Sequence, residues 1–316
     1  MNNIASQLVG VKSIAIGGHI RPDGDCVGSC LAMYNYIIDN WTDIKVDIYL
    51  EPIPNLFKFL KNAEKINNTY DMDMVYDLFI ALDCGDSERL GIAEKYFETA
   101  HKTICIDHHI SNKHFADENY IFPKASSTSE LVFDLIEKDK ISKEIAECIY
   151  TGIVHDTGVF QYSSTSSKTM NVAGMLMDKG INFTKIIDDT FYKKTFNQNQ
   201  ILGKALLDSR LFLDEKCILS VLMQEDLEKY QVATRHLEGI VSQLRVTKDV
   251  DVAVLIYETE KNEFKISMRS NEIVDVSVIA SLLGGGGHIR AAGCSLKGEI
   301  KEIETLILKE IEKQLR

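Results

Sequence analysis

Residues 13–38 read SIAIGGHIRPDGDCVGSCLAMYNYII, and they join an apolar run to a helical pattern through a polar turn. The run Ser13–Gly18 is typical of a buried strand, and Cys26–Ile38 repeats apolar residues with the period of an amphipathic helix. The alternation continues through the first half of the chain, where we predict strands at Lys45–Leu50, Leu78–Leu82 and Thr103–Ile106 and helices at Ser129–Lys138, Lys143–Val154 and Lys168–Lys179. This order of elements predicts an α/β fold with a mostly parallel sheet.

A second, smaller α/β domain is predicted from the later part of the chain. Its strands are predicted at Lys216–Met223, Asp251–Glu258 and Glu263–Met268, and its helices at Val274–Leu283 and from Glu299 onward. Residues from about Phe183 to Arg210 are polar and helical in pattern, which is typical of a connection between domains. We therefore expect a first domain over residues 1–185, a helical linker over 186–213 and a second domain over 214–316, with a cleft between the two domains.

The composition limits the classes of substrate. The chain has 316 residues, of which 45% are hydrophobic, and 47 acidic residues outnumber 35 basic ones to give a net charge of −12. Binding to long nucleic acids needs many Lys and Arg contacts with phosphates. A nucleotide substrate is therefore expected to be short, and a long duplex nucleic acid is not expected as a partner.

The cysteines and the start of the chain bear on location. Seven cysteines is an odd number and none forms a CxxC pair, which is typical of buried thiols in a reducing compartment. The first residues lack the basic start and apolar run of a signal peptide, and no uncharged apolar stretch approaches the ~18 residues that span a bilayer. We expect a cytoplasmic protein with no membrane partner.

Aspartate and histidine residues cluster where predicted strands and helices end. They are His19, Asp23 and Asp25 after the first strand, Asp83 after LFIAL, Asp107, His108 and His109 after TICI, and His155 and Asp156 after a helix. Sites in open α/β sheets form at the carboxyl ends of the strands. Because so many carboxylates in one cleft would repel each other or take up protons, the pattern predicts bound cations.

Each motif alone has an ordinary structural explanation. DGD is typical of a turn in which glycine adopts an unusual backbone angle, and an aspartate after a strand often caps a helix. Adjacent histidines are often surface residues. Four such motifs, each at the end of a strand or helix, are much harder to explain in this way, and together they favour a metal site.

HIRPDGDCVGS, LDCGD, DHH and HDTG, in this order, resemble the four motifs of the DHH phosphoesterase superfamily. The tail motif GGGGHIRAAG resembles the signature of the DHH-associated second domain of that superfamily. The compact two-domain form is similar to the branch of oligoribonucleases (nanoRNases) that also act as phosphatases on 3′-phosphoadenosine 5′-phosphate (pAp). The resemblance covers essentially the whole chain.

This resemblance implies two sets of metal ligands that share Asp83. The first set is His19, Asp23 and Asp83, and the second is Asp25, Asp83, His108 and Asp156. The catalytic residues would be the bridging Asp83, His109 facing the substrate phosphate, and Asp107 behind the ligands, orienting His108. His155 matches no ligand position, so we expect it to be structural or to support a ligand.

Two divalent cations would cancel the charges of the four ligand carboxylates. Mixed imidazole and carboxylate ligands suit Mn²⁺, Fe²⁺ or Zn²⁺ better than Mg²⁺, and the resemblance favours Mn²⁺, the usual metal of the family. Two such ions can activate a water and stabilise the attacking and leaving oxygens, so no protein nucleophile is required.

The glycine run of the second domain is the candidate substrate-binding element. A glycine run is usually a flexible loop, but its backbone N–H groups can also form a nest for an anion. Arg269, at the end of the strand FKISM, could clamp a phosphate. By resemblance, Arg269, His288 and the glycines Gly284, Gly285, Gly286 and Gly287 hold the far end of the substrate. Arg290 is equally consistent with a binding residue or a surface charge.

The expected function is hydrolysis of short oligonucleotides (nanoRNA) to nucleoside monophosphates, as an exonuclease, or removal of the 3′-phosphate of pAp. A phosphodiesterase for linear dinucleotides derived from cyclic messengers stays an alternative. A manganese pyrophosphatase would carry a Lys- and Arg-rich substrate motif, which we do not find. A non-catalytic nucleotide-binding regulator would be expected to lack metal ligands. A homodimer is possible for this family.

Overall fold

The computed structural model describes residues 3–316, so the first two residues of the segment searched for a signal peptide lie outside the described part. The chain divides into two compact units, the first ending at Lys193 and the second comprising Lys194–Arg316. The division falls within the segment predicted as a helical linker. Both units combine helices with a sheet, which confirms the predicted α/β class.

A six-stranded sheet in which all neighbours are parallel forms the centre of the first unit. Its strands are β1 Ser13–Gly17, β2 Lys45–Tyr49, β3 Ile66–Asn67, β4 Leu78–Leu82, β5 Thr103–Asp107 and β6 Glu118–Ile121. The order across the sheet is β3-β2-β1-β4-β5-β6, so the strand order reverses between β1 and β4. Strands β3 and β6 were not predicted, because they are short, half-buried edge strands without an apolar run.

Helices cover this sheet. They are α1 Gly24–Asn40, α2 Glu94–Thr99, α3 Thr128–Leu135, α4 Lys143–Asp156, α5 Ser167–Met177 and α6 Phe183–Ile187. The largest apolar core contains the buried faces of α1, α3 and α4, and a second layer, rich in Tyr and Phe, includes Tyr49, Phe79 and Tyr96. The helix predicted to reach Lys138 ends at Leu135, because the chain turns to an extended conformation at Ile136.

The second unit has a sheet of its own. Its strands are β7 Arg210–Phe212, β8 Cys217–Leu222, β9 Val252–Glu260, β10 Glu263–Ser270, β11 Gly286–His288 and β12 Ala291–Lys297, in the order β11-β12-β10-β9-β8-β7. Only β8 and β9 among these pairs are parallel. The helices are α7 Phe196–Leu207, α8 Gln224–Lys229, α9 Ile240–Arg245, α10 Val276–Leu282 and α11 Ile300–Leu315. One core packs under α10 and α11 and another under α7 and α9.

The structure of residues 3–316 also shows the state of the cysteines and the character of the helices. All seven cysteines are buried and unpaired in this range. None of the helices described there has the length and apolar character needed to cross a bilayer.

Candidate metal centre

The acidic and histidine side chains singled out from the sequence of the first unit meet at the carboxyl ends of β1, β4 and β5. They are His19 after β1, Asp23 and Asp25 at the start of α1, Asp83 after β4, Asp107, His108 and His109 at the end of β5, and Asp156 at the end of α4. Strands β1 and β4 flank the point at which the strand order reverses. Open parallel sheets bind their ligands at this point.

Asp83 lies at the centre of the group, and its two carboxylate oxygens face different partners. Oδ2 lies 3.5 Å from Nε2 of His19, whereas Oδ1 lies 3.7 Å from Nε2 of His108. Oδ1 also accepts a hydrogen bond of 3.0 Å from Oγ1 of Thr128. The backbone of Asp83 is left-handed, with φ of 57°, which Asp tolerates better than most residues. One buried carboxylate therefore faces two separate sets of possible ligands.

His19 and Asp23 accompany Asp83 in the first set. Nε2 of His19 lies 3.7 Å from Oδ1 of Asp23. Nδ1 of His19 donates a hydrogen bond of 2.9 Å to the carbonyl oxygen of Ile20, which leaves Nε2 to face the carboxylates. Asp23 also caps α1, since its Oδ1 accepts hydrogen bonds from two backbone N–H groups in the first turn. The cap and the candidate ligand are the same residue.

Asp25, His108 and Asp156 form the second set, and their ligand atoms all lie within 4.8 Å of one another. Nε2 of His108 is 3.3 Å from Oδ2 of Asp156. Burial, and then the charge of Asp83, raises the pKa of Asp25 well above its usual range and that of Asp156 to about 7. This crowding of buried carboxylates is what a bound cation would relieve. Imidazole nitrogens and carboxylate oxygens together fit a divalent transition-metal ion.

Asp107 contacts a different histidine from the one expected. Its Oδ1 accepts a hydrogen bond of 2.7 Å from Nδ1 of His109, rather than one from His108, and its Oδ2 accepts one of 2.7 Å from Asn112. The hydrogen bond to Asp107 outweighs burial and raises the pKa of His109 to about 9. Asp107 therefore orients His109, and the expectation that it orients His108 was wrong. The side chain of His109 is 42% exposed, so it can reach a substrate.

His155 supports the turn between Asp23 and Asp25 by packing. Its ring lies 4.9 Å from that of Phe57 and 5.8 Å from that of Phe191, measured between centroids. A Cβ atom on Gly24 would lie 2.3 Å from Cγ of His155, so glycine is needed here for space. Burial lowers the pKa of His155 to about 4, which keeps the ring neutral. These contacts agree with the structural role expected for His155.

The start of α3 contributes groups that the sequence analysis did not assign to the site. The backbone N–H groups of Thr128 and Ser129 donate to the two oxygens of Asp25, at 2.7 and 2.9 Å, and the Thr128 hydroxyl donates to Asp83. The available signal is the hydroxyl-rich run ASSTSE, in which Ser127 and Glu130 have the spacing of a capping box, where each side chain bonds to the backbone of the other residue. Ser127 does cap the helix, but Glu130 accepts hydrogen bonds from Ser126 and Thr169 instead of completing the box.

The substrate-binding residues predicted in the second unit fall on three neighbouring strands. Arg269 on β10 pairs with Ala291 on β12, which pairs with His288 on β11. Residues directly opposite one another share a face of a sheet. Arg269 and His288 therefore lie on one face, with the small Ala291 between them, and Gly286, two residues from His288, lies on the same face.

The glycine run is only partly the loop that was predicted, because its second half is the edge strand β11. A Cβ atom on Gly285 or Gly287 would lie 2.2 or 2.5 Å from a backbone oxygen of β12, so these two are needed for strand packing. Gly286 has no atom within 4 Å of that position. Arg290 is a structural residue, since its guanidinium donates to the carbonyl oxygens of Val274 and Glu272.

Comparison with known proteins gives matches along most of the chain. The family model described as DHH family, N-terminal domain, matches residues 13–153, and that of the DHHA1 domain matches residues 214–316. The chain is 28% identical over 307 residues to the bifunctional oligoribonuclease and PAP phosphatase NrnA of Thermus thermophilus, covering 94% of this chain and 89% of the relative. It is 27% identical over 291 residues to the protein of the same name from Bacillus subtilis, covering 90% and 89%.

A solved structure is similar along nearly the whole chain. It is that of an exopolyphosphatase-related protein from Bacteroides fragilis, with a TM-score of 0.90 and 28% identity, covering 98% of this chain and 94% of that chain.

Proposed function

Since the chain belongs to the DHH family, with a DHH N-terminal domain followed by a DHHA1 domain, and is a hydrolase acting on phosphate ester bonds, we propose that it hydrolyses short oligoribonucleotides to nucleoside monophosphates and removes the 3′-phosphate of pAp. The relatives named above, whose names state both activities, support this choice. Neither a linear-dinucleotide phosphodiesterase nor a pyrophosphatase has better support. Action in the cytoplasm is consistent with seven unpaired cysteines.

The observation that carries the proposal is the orientation of Asp83, whose two oxygens face two different histidines. We assign one divalent cation to His19, Asp23 and Asp83. The second cation is assigned to Asp25, Asp83, His108 and Asp156, and both are proposed to be Mn²⁺. When bound, two such cations supply an activated water and stabilise charge on the phosphoryl oxygens.

His109 is proposed to hold the proton that the reaction needs. Its Nδ1 donates a hydrogen bond to Asp107, and this carboxylate raises the pKa of His109, which favours the protonated ring. Nε2 of His109 can therefore donate a hydrogen bond to the substrate phosphate or a proton to the leaving oxygen. Asp107 orients His109 and favours its charged form, which is why we place both residues in the catalytic group.

The face shared by Arg269, His288 and Gly286 is proposed to bind the part of the substrate that does not react. The support is chemical: a guanidinium and an imidazole flank small residues, and the missing side chain of Gly286 leaves open space. Arg269→Ala and His288→Ala should raise KM more than they lower kcat. Lys309→Ala, which removes an exposed charge on α11, is the matched control and should change neither constant.

The central test replaces the bridging carboxylate. Asp83→Asn is preferred to an alanine substitution, because Asn also tolerates the left-handed backbone at this position. With Mn²⁺ present, turnover of pAp, a dinucleotide and a five-residue RNA should fall by roughly 10³-fold, since several kcal/mol of transition-state stabilisation come from the metals. The exposed Asp43→Asn is the control. Retained turnover in Asp83→Asn would refute the bridging role, and pyrophosphate turned over faster than pAp would favour the pyrophosphatase alternative.

A further inference from the structure

Cys26 lies beside two members of the first ligand set, His19 and Asp83, although it has not been counted as a ligand so far. It is the third residue of α1, and its side chain is completely buried. Its sulfur and the ligand atoms of His19 and Asp83 all lie within 4.8 Å of one another, and all three residues are buried. The thiol of Cys26 therefore lies close to both the imidazole of His19 and the shared carboxylate of Asp83.

The sulfur of Cys26 packs against Gly18, which has no side chain to displace it. A Cβ atom on Gly18, at the end of β1, would lie 2.4 Å from Sγ of Cys26, so any other residue at Gly18 would push the sulfur away. The hydrogen bond from this thiol is long, at 3.9 Å to the carbonyl oxygen of His19. A weak contact of this length costs little to replace by a bond to a cation.

The second ligand set has no such thiol, since it consists of Asp25, His108 and Asp156 with one oxygen of Asp83. Sulfur is a soft ligand that favours Zn²⁺ and similar ions, whereas carboxylates suit Mn²⁺ and other harder ions. The two halves of the centre therefore differ in chemical character. An N, O and S donor set around one ion resembles the mixed ligand sets that hold Zn²⁺ tetrahedrally.

Building on the proposed two-cation site, we infer that Cys26 is a sulfur ligand of the first cation. This ligand gives the first half of the centre a higher affinity for thiophilic divalent ions such as Zn²⁺ or Co²⁺ than the second half has, while Mn²⁺ fills both halves where it is the available metal. Ligand atoms around such an ion are about 3.5 Å apart, so atoms that lie within 4.8 Å of one another must approach by at most about 1.3 Å. On binding, the S–H bond of Cys26 breaks, a sulfur–metal bond forms and the proton leaves to solvent.

Cobalt titration of the metal-free full-length protein tests this inference. Thiolate bound to Co²⁺ gives an intense charge-transfer absorption in the near ultraviolet, which nitrogen and oxygen ligands do not give. The wild-type protein should develop this band as the first equivalent of Co²⁺ binds. The matched control is Cys217→Ala, which removes a buried thiol from β8 in the second unit and should keep the band. Cys26→Ala and Cys26→Ser should lose it.

The same variants should change the affinities for Zn²⁺ and Mn²⁺ by different amounts. Zn²⁺ affinity should fall by about 10–100-fold or more in Cys26→Ser, because removal of a group that merely supports a ligand already costs that much. Mn²⁺ affinity should change much less. Co²⁺ that binds to the wild type without the band, or a band that persists in both Cys26 variants, would overturn the role of Cys26 and leave the proposed function standing. Failure of any divalent ion to bind would overturn both.

Discussion

The contact between α1 and α4 gives the sharpest test of how packing positions the residues of the candidate metal centre. A Cβ atom on Gly28 would lie 2.5 Å from the carbonyl oxygen of Cys148 and 2.9 Å from the backbone nitrogen of Gly152. Both atoms are backbone of α4, so no side-chain rotation can relieve the clash. Gly28→Ala must therefore separate the two helices, which carry Asp25 and Asp156 at the site.

The expected magnitude follows from two opposing terms. Overpacking a core by one methyl group costs about 1–3 kcal/mol, whereas alanine in a helix is favoured over glycine by about 0.5–1 kcal/mol. Gly174→Ala on α5 is a matched control, because this helical glycine is exposed and has no atom within 4 Å of a new Cβ. The difference between the two variants isolates the overpacking cost of about 1–3 kcal/mol.

Urea unfolding followed by tryptophan fluorescence measures this difference in the free energy of unfolding of the first unit. Trp41, the only tryptophan in the sequence, directly follows α1 and packs edge-on against Tyr36. With an m value of about 2–3 kcal/mol/M, a difference of about 2 kcal/mol places the midpoint of Gly28→Ala about 0.7–1 M below that of Gly174→Ala. Equal midpoints would refute the argument that backbone contact at Gly28 sets the spacing of the helices.

Three further predictions concern Glu130, Thr128 and the metal. Ser126, Thr169 and Lys168 overcome the effect of burial and lower the pKa of Glu130. Its charged form therefore stabilises the fold above the usual value of 4.5, so Glu130→Gln should cost about 1–3 kcal/mol near pH 7, and urea midpoints should converge as the pH falls through the lowered pKa. Thr128→Val, but not Thr128→Ser, should weaken Mn²⁺ binding about 10–100-fold in calorimetry. Mn²⁺ at about 100 times its Kd should stabilise the first unit by about 2.7 kcal/mol, which a chelator should reverse.

The positions of His19 and Asp83 could be predicted because a parallel sheet brings the carboxyl ends of its strands to one edge. Each residue follows a short apolar run that is typical of a buried strand, and both lie beside the strand-order reversal. The α/β class of both units followed from the same periodicity. Edge strand β6 could not be found in this way, because its polar and apolar residues do not alternate and it is only half-buried.

Contacts that depend on side-chain direction could not be predicted. Asp107 is next to His108 in the chain, but its carboxylate turns to His109, two residues away. Similarly, the capping-box spacing of Ser127 and Glu130 is present, yet Glu130 binds the hydroxyl groups of Ser126 and Thr169 because these are buried beside it. The spacing of a motif shows which residues are close, but the packing of a distant helix decides which atoms meet.

The same backbone features that make DGD look like an ordinary helix start also orient its carboxylates at the candidate metal centre. Asp23 accepts hydrogen bonds from the N–H groups of Asp25 and Cys26, and Asp25 accepts them from Thr128 and Ser129 at the start of α3. The N-termini of two helices thus hold two of the ligand carboxylates, and each such end favours an anion by about 0.3–1 kcal/mol. Unlike a zinc finger, whose ligands gather only around the metal, these carboxylates are oriented by the fold itself. We therefore predict that the first unit folds without the cations, and that their binding would relieve the repulsion among the buried carboxylates.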